Sequence, residues 1–137
     1  MSAGLVFEGL YGRLNDASIT ATVTGGIHRD RAPRSAVFPF IVMSVEPVDV
    51  SDVLPGEAYF EGDWTVKVVT KGESAKTADD AYALVHARLQ DYAITLSGYT
   101  TMVCRRASFF SYDEDIEGGE RAQHVGGVYH IMAQPGS

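Results

Sequence analysis

A handful of residues in this chain have the types and spacing that chemistry would need. Asp113, Asp115 and Glu117 followed by Gly118 copy positions one, three, five and six of a calcium loop, whose carboxylate and carbonyl oxygens would wrap a hard cation. Position twelve is His124, where such a loop needs a bidentate Glu, and no flanking helices are predicted. An acidic hairpin turn kept soluble by its charge accounts for the stretch better. His124 and His130 stand six apart and share a face if they lie on a strand, yet roughly 20 Å would separate them at about 3.3 Å per residue. No single metal ion reaches both, so they read as surface or groove residues. His86 has no carboxylate placed beside it in a general-base motif and reads as a packed or half-exposed residue. Cys104 falls within a strand pattern and reads as a small buried hydrophobe in preference to a reactive thiol. The Gly-x-Ser-x-Gly elbow, the Gly-x-Gly-x-x-Gly turn and the Gly-x-x-x-x-Gly-Lys phosphate loop are absent. This reading assigns no catalytic residue, no metal and no cofactor.

The elements that must carry these residues are organised around Trp64 to Ala93. Along Trp64 to Thr70, Trp64, Val66 and Val68 fall on one face and Thr65 and Lys67 on the other, which predicts a half-buried strand needing a cover on one side. A helix follows. Thr77 stands three residues before Asp80 as a capping pair, and Ala78, Ala81, Tyr82, Val85, Leu89 and Tyr92 recur at spacings of three and four as an apolar stripe. Upstream, Leu5 to Leu14 predicts a short helix that Gly9 and Gly12 weaken, and Ile19 to Val23 reads as a brief extended segment. Ile27 to Arg34 reads as an exposed, basic, extended connection with His28, Arg29, Arg31 and Arg34. Val37 to Val45 predicts a buried strand with Pro39 at its beginning or on an edge. Glu46 to Asp63 holds six acidic residues and no Lys or Arg, a long acidic loop or hairpin. Tyr99 to Tyr112 and Gln123 to Ala133 predict two strands of a long hairpin, Val125, Tyr129 and Ile131 sharing a face, with Asp113 to Glu120 as its turn.

This order predicts an α+β fold: a mostly antiparallel, mixed sheet of four to five strands with two helices packed on one face. The strand-helix-strand passage predicts one parallel pairing. At 137 residues one domain spanning 1–137 is expected, large enough to fold without disulfides or metals. A formal charge of −7 disfavours nonspecific attraction to nucleic acid or anionic lipid. One cysteine cannot form an internal disulfide, which fits a reducing compartment, and neither a signal peptide nor an apolar run long enough to span a membrane is apparent.

The first helix, the arm ending in Ala32-Pro33, the strand Phe38-Pro39-Phe40-Ile41-Val42, the strand Trp64 to Val69, the helix Ala81 to Leu89 and the closing hairpin together resemble the tail terminator, or tail-completion, family of long-tailed bacteriophages, from about Leu5 to Gln134. The resemblance implies a structural virion protein that forms a hexameric ring on the tail tube and stops tube polymerisation. Its partners would be further copies of itself, the tail tube protein and the head-tail connector or stopper, with DNA passing through the lumen unbound and no membrane contact. Assembly would take place in the bacterial host cytoplasm. Under this reading the candidate assembly contacts are Arg29, Arg31, Arg34, Asp49, Asp52, Glu57, Asp113, Asp115 and Glu117. Two alternatives stand beside it: another neck protein of the same virion, or a small ligand-binding or enzymatic domain using His86 or His130.

Overall fold

Alternation of apolar side chains does in space what it implies in sequence. A computed structural model describes residues 3–45, 51–52, 60–72 and 75–135. In chain order these form α1 (Ala3–Leu14), α2 (Ala17–Thr20), β1 (Ile27–Arg29), β2 (Phe40–Val45), β3 (Ser51–Asp52), β4 (Phe60–Lys71), α3 (Lys76–Leu89), β5 (Tyr99–Ile116) and β6 (Glu120–Pro135), with a 3-10 turn at Glu117–Gly119 between the last two. The architecture is α+β on a mixed sheet. Its strand order is β1-β2-β4-β6-β5, and the two-residue β3 pairs beside β4.

Trp64, Val66 and Val68 of β4 are fully buried, and Thr65 and Lys67 between them are half-buried on the other face. Ile41 and Met43 of β2 and Val125, Tyr129 and Ile131 of β6 join the same core cluster as the three β4 residues. So do Val6, Leu10 and Leu14 of α1 and Ala78, Ala81, Tyr82, Val85 and Leu89 of α3. Each large side chain withdrawn from water in this way stabilises by about 1.5–3 kcal/mol. Gly127 permits the approach of α3 to β6, because a Cβ there would fall against the Tyr82 hydroxyl.

Several expectations are corrected. Ile19 to Val23 is not extended: Asp16 caps α2 by accepting a hydrogen bond from Ser18 N at 3.0 Å, and a helical turn buries Ile19. Thr77 is not the cap of α3, which starts one residue earlier with no side-chain cap. Lys76 occupies Asp80 instead, at 2.8 Å across one turn. Tyr92 lies past the end of the helix, 38% exposed, because Asp91 at φ 59 turns the chain away after Leu89. Among the described residues the sheet has six strands, two of them very short. Among the described pairings the parallel one is β1 with β2, and the passage β4-α3-β5 skips a position because β6 inserts antiparallel between β4 and β5. The acidic stretch Asp113 to Glu120 is not all turn: β5 continues through Ile116, and left-handed Gly118 and Gly119 reverse the chain. Glu61 and Asp63 belong to β4, whereas the rest of the acidic stretch from 46 to 59, apart from the β3 pairing, lies outside the described residues.

Candidate assembly surfaces

Parallel neighbours cannot be joined by a tight turn, so the chain crosses over between β1 and β2. Residues 30–39 make that crossing on the sheet face opposite Trp64. Gly25 N donates to Pro39 O at 2.7 Å and Asp30 N to Met43 O at 2.7 Å, which ties both ends of the arm to the sheet. A Cβ at Gly25 would collide with the carbonyl of Val37, so the arm needs glycine where it passes. Ala32, Phe38 and Phe40 then pack on a second small cluster of Val42, Val69 and Ala122, reaching Ile116 of β5. Between arm and sheet lies an open groove of about 380 Å³, floored by those apolar residues and bordered by Arg31, Arg34, Lys67, Glu114 and His124.

The charges around the groove are unevenly compensated. Asp30 pairs with Arg29 at 3.7 Å, and Arg29 also lies over the Phe7 ring at 4.3 Å. Glu114 meets His124 Nε2 at 2.8 Å, and the Tyr112 ring stacks on His124 at 4.5 Å between centroids. Burial lowers the His124 pKa by more than Glu114 raises it, and Lys67 lowers it further. At neutral pH that contact is therefore a hydrogen bond donated by the Nε2–H of a neutral imidazole to the Glu114 carboxyl oxygen. Lys67 Nζ donates to the Tyr112 hydroxyl at 3.1 Å. Arg31 and Arg34 are exposed and form no ion pair among the described residues.

Of the other candidate contacts, Asp113 and Asp115 point to the same Arg121 across the hairpin, at 2.6 and 3.4 Å, and Glu117 is exposed on the turn. Arg121 holds the two aspartates that a calcium loop would have needed free. Asp52 stands in β3 opposite Phe60, while Asp49 and Glu57 lie outside the described residues. The fold thus brings Arg31 and Arg34 to one groove and sets Asp52 at the other end of β4.

Two polar networks escaped the reading of the sequence. His86 Nδ1 meets the buried Tyr129 hydroxyl at 2.8 Å, and Tyr129 meets Tyr82 at 2.7 Å. Burial pushes the Tyr129 hydroxyl well above the ordinary tyrosine range, reinforced by Tyr82. Burial and the nearby Arg106 lower the His86 pKa. The alternation that buries Tyr129 gives no sign of a hydroxyl partner more than 40 residues away. In the second network His130 Nδ1 meets Asp63 at 2.8 Å and Nε2 meets Glu61 at 3.1 Å. Period two along the 61–63 stretch is the available signal, and the breakers that make Glu46 to Asp63 read as a long acidic loop or hairpin hide it. Cys104 is buried as expected, and burial pushes its thiol up to about 12. Among the described residues no three His, Cys, Asp or Glu side chains are arranged to hold a metal ion, and no helix is long and apolar enough to cross a membrane.

What this geometry offers is contact surface: a grooved sheet face, a long hairpin and separated zones of opposite charge. The sequence matches the family described as tail completion protein gp17 over residues 8–125, and the chain belongs to that family. It is accordingly a structural protein of a phage-type tail, a virion component and not an enzyme. Its fold is similar to a chain of the virion of native gene transfer agent particle, with a TM-score of 0.71, 21% identity and 96% of each chain covered. A second solved chain aligns over 96% of each with a TM-score of 0.58 and 14% identity. None of the curated proteins matches the chain.

Proposed function

We propose that this chain, as one domain, caps the tail tube as a hexameric ring, stops tube polymerisation and forms the interface on which head and tail join. The observation that carries this reading is the match to the tail-completion family over residues 8–125. A ring is built from a heterologous contact that closes by rotation, and such a contact needs two different surfaces on each subunit. In our reading α1 and α3 together cover the Trp64 face of the sheet, which leaves the opposite face and the hairpin for partners. The candidate contacts are Arg29, Arg31 and Arg34 on one side and Asp49, Asp52, Glu57, Asp113, Asp115 and Glu117 on the other. Partners are further copies, the tail tube protein and the connector or stopper of the head, with assembly in the host cytoplasm before the virion is complete. Acidic residues lining a lumen would repel DNA phosphates and let the genome pass without sticking.

Electron microscopy of particles made without the gene tests the reading. Overlong or headless tails, restored to normal length and joined to heads by the wild-type chain, are expected. Tails of normal length joined to heads in its absence refute it. Tails of normal length that fail only to join assign the chain to another neck position.

A further inference from the structure

The geometry points to a carboxylate-binding pocket between α3 and β5, which takes an Asp or Glu side chain of a partner protein of the tail. It is an open pocket of about 320 Å³, lined among others by Tyr82, His86, Arg106 and Phe109, and it shares no residue with the groove beneath the arm. The backbone builds it. A register shift between Arg106 and Ser108 adds a residue to β5, so that Arg106 and Phe109, three apart, both turn toward Tyr82. Gly127, the partner of Phe109 in β6, leaves the room, since a Cβ there would fall against the Arg106 side chain as well as the Tyr82 hydroxyl. The half-buried Arg106 guanidinium lies 5.3 Å from the Phe109 ring centroid and 5.9 Å from that of Tyr82. It forms no ion pair among the described residues; its side chain donates to the Tyr82 hydroxyl at 3.4 Å. Asp79, which also lines the pocket, is exposed and does not pair with it.

The hydroxyl hydrogens decide what this pocket offers. Tyr82 and Tyr129 are buried, and each O–H needs an acceptor. Tyr82 touches Tyr129 at 2.7 Å and the Arg106 guanidinium, which only donates, while Tyr129 also meets His86 Nδ1 at 2.8 Å. The Tyr82 hydrogen therefore goes to Tyr129, the Tyr129 hydrogen goes to His86 Nδ1, and the imidazole carries its own proton on Nε2. The reverse order leaves the Tyr82 O–H with no acceptor among the described residues. Burial and Arg106, against a smaller pull from Asp91, hold the His86 pKa below the ordinary imidazole range, so the ring is neutral at pH 7. His86 Nε2–H and the Arg106 guanidinium are thus donors at the two ends of one chain, both on the same pocket. One cationic fork and one neutral donor suit a carboxylate, and the neighbouring Asp79 disfavours a more highly charged anion. Phe109, 53% exposed, adds the aromatic contact that anchors protein interfaces, and in a structural component of a tail the carboxylates at hand are side chains of other proteins. The pocket rests on that family membership and not on the ring.

NMR of the isotope-labelled full-length chain at pH 7 tests the pocket directly. Without ligand, His86 should show the Nε2–H tautomer; the Nδ1–H tautomer overturns the donor chain. N-acetylglutamic acid amide, a blocked residue with a free side-chain carboxylate, should shift His86 Nε2 and Arg106 Nε saturably, and its neutral isostere N-acetylglutamine amide should not. Arg106→Gln should weaken that binding about ten- to a hundredfold. No saturable shift, or an equal response to both probes, overturns the proposal, and inorganic phosphate acting in place of the glutamate probe overturns the choice of a carboxylate. If Arg106→Gln does not fold, Phe109→Ala at an exposed position serves: weaker binding is expected, and unchanged binding counts against the pocket. The second arm is restoration of tails in cells lacking the gene. A folded Arg106→Gln chain that restores tails as the wild type does shows that no tail protein fills the pocket, which overturns the proposal and leaves the ring reading intact. Tails of normal length joined to heads without any of the chain refute the ring reading, and the NMR titration then still decides whether the pocket binds carboxylate. Poor restoration by Arg106→Gln, partial restoration by Arg106→Lys and saturable binding of the glutamate probe by the wild type together support the proposal.

Discussion

Single side chains in this protein have been assigned opposite proton preferences by their surroundings. Burial works to lower the pKa of His130, but its bonds to Asp63 and Glu61 outweigh that, and the net shift is upward. A histidine with a raised folded pKa stabilises the fold in its protonated form; the contribution is complete below its ordinary value near 6.5 and disappears as pH rises through the raised value. His86 and His124 are shifted down, so their contributions run the other way and are lost as pH falls through their folded values. Replacing His130 by Asn should therefore remove the part of the stability that declines with rising pH above about 6.5, measured as unfolding midpoints from pH 5.5 to 8.5. Unaltered pH dependence in that variant would show that the carboxylate pair does not hold the imidazolium. Tyr129 gives a second prediction. Tyr129→Phe strips both Tyr82 and His86 of a hydroxyl partner in a buried setting and should cost about 1–3 kcal/mol in denaturant unfolding. His86→Ala should cost less, because His86 stands at the half-buried end of the network.

At the scale of elements, α3 and the closing hairpin divide the work. The helix contributes its stripe to the core, and Leu89, fully buried in the last turn, is its final anchor. Leu89→Ala should lower stability by about 2–5 kcal/mol through lost transfer energy and the cavity left behind. An unfolding midpoint moved by the equivalent of less than about 0.5 kcal/mol would remove α3 from the core. The hairpin is different in kind. In its distal half the β5 strand is exposed, with Phe109 at 53% and Tyr112 at 47%, while β6 opposite it is buried from Ala122 to Gly127, and β5 is a sheet edge. Part of that edge is closed locally, since Asp91 N donates to Cys104 O at 2.8 Å and Gln90 Oε1 accepts from Arg106 N at 2.9 Å. Beyond Arg106 the edge carries acidic side chains, a common device against unwanted strand pairing. Because Arg121 engages both Asp113 and Asp115, thermal melts with calcium and with chelator should superimpose. A rise of several degrees in calcium that disappears in Asp115→Asn would contradict this.

At the scale of the whole molecule, the distribution of charge carries more information than the net −7. Cationic side chains gather on β1 and the arm, while the acidic segment begins where β2 ends and returns at the start of β4. Such separation favours ordered, directional association over aggregation, because each contact pairs unlike surfaces and copies meeting face to face repel. Reversing Arg29, Arg31 and Arg34 together to Glu should abolish restoration of tails while leaving the chain folded. The readouts are electron microscopy of complemented particles and circular dichroism of the purified chain. Intact restoration by the triple variant would place the assembly contact elsewhere.

The sequence by itself determined which residues face the core. Alternation along Trp64 to Val68 and along Val125 to Ile131, and the three-and-four spacing from Ala78 to Leu89, identify buried faces, since side-chain direction follows from backbone period alone. The order of elements and the family resemblance were legible for the same reason: both live in local patterns read along the chain. Only the tertiary structure decided who neighbours whom. Period two cannot say that β6 lies between β4 and β5, because strand order depends on how connections cross the sheet and on which faces close together. Tyr129 meeting His86, His130 clasped by Asp63 and Glu61, and the arm lying over Val42 and Val69 all follow from that order. The groove belongs to the same class, being the product of a crossover between parallel strands that no local signal announces.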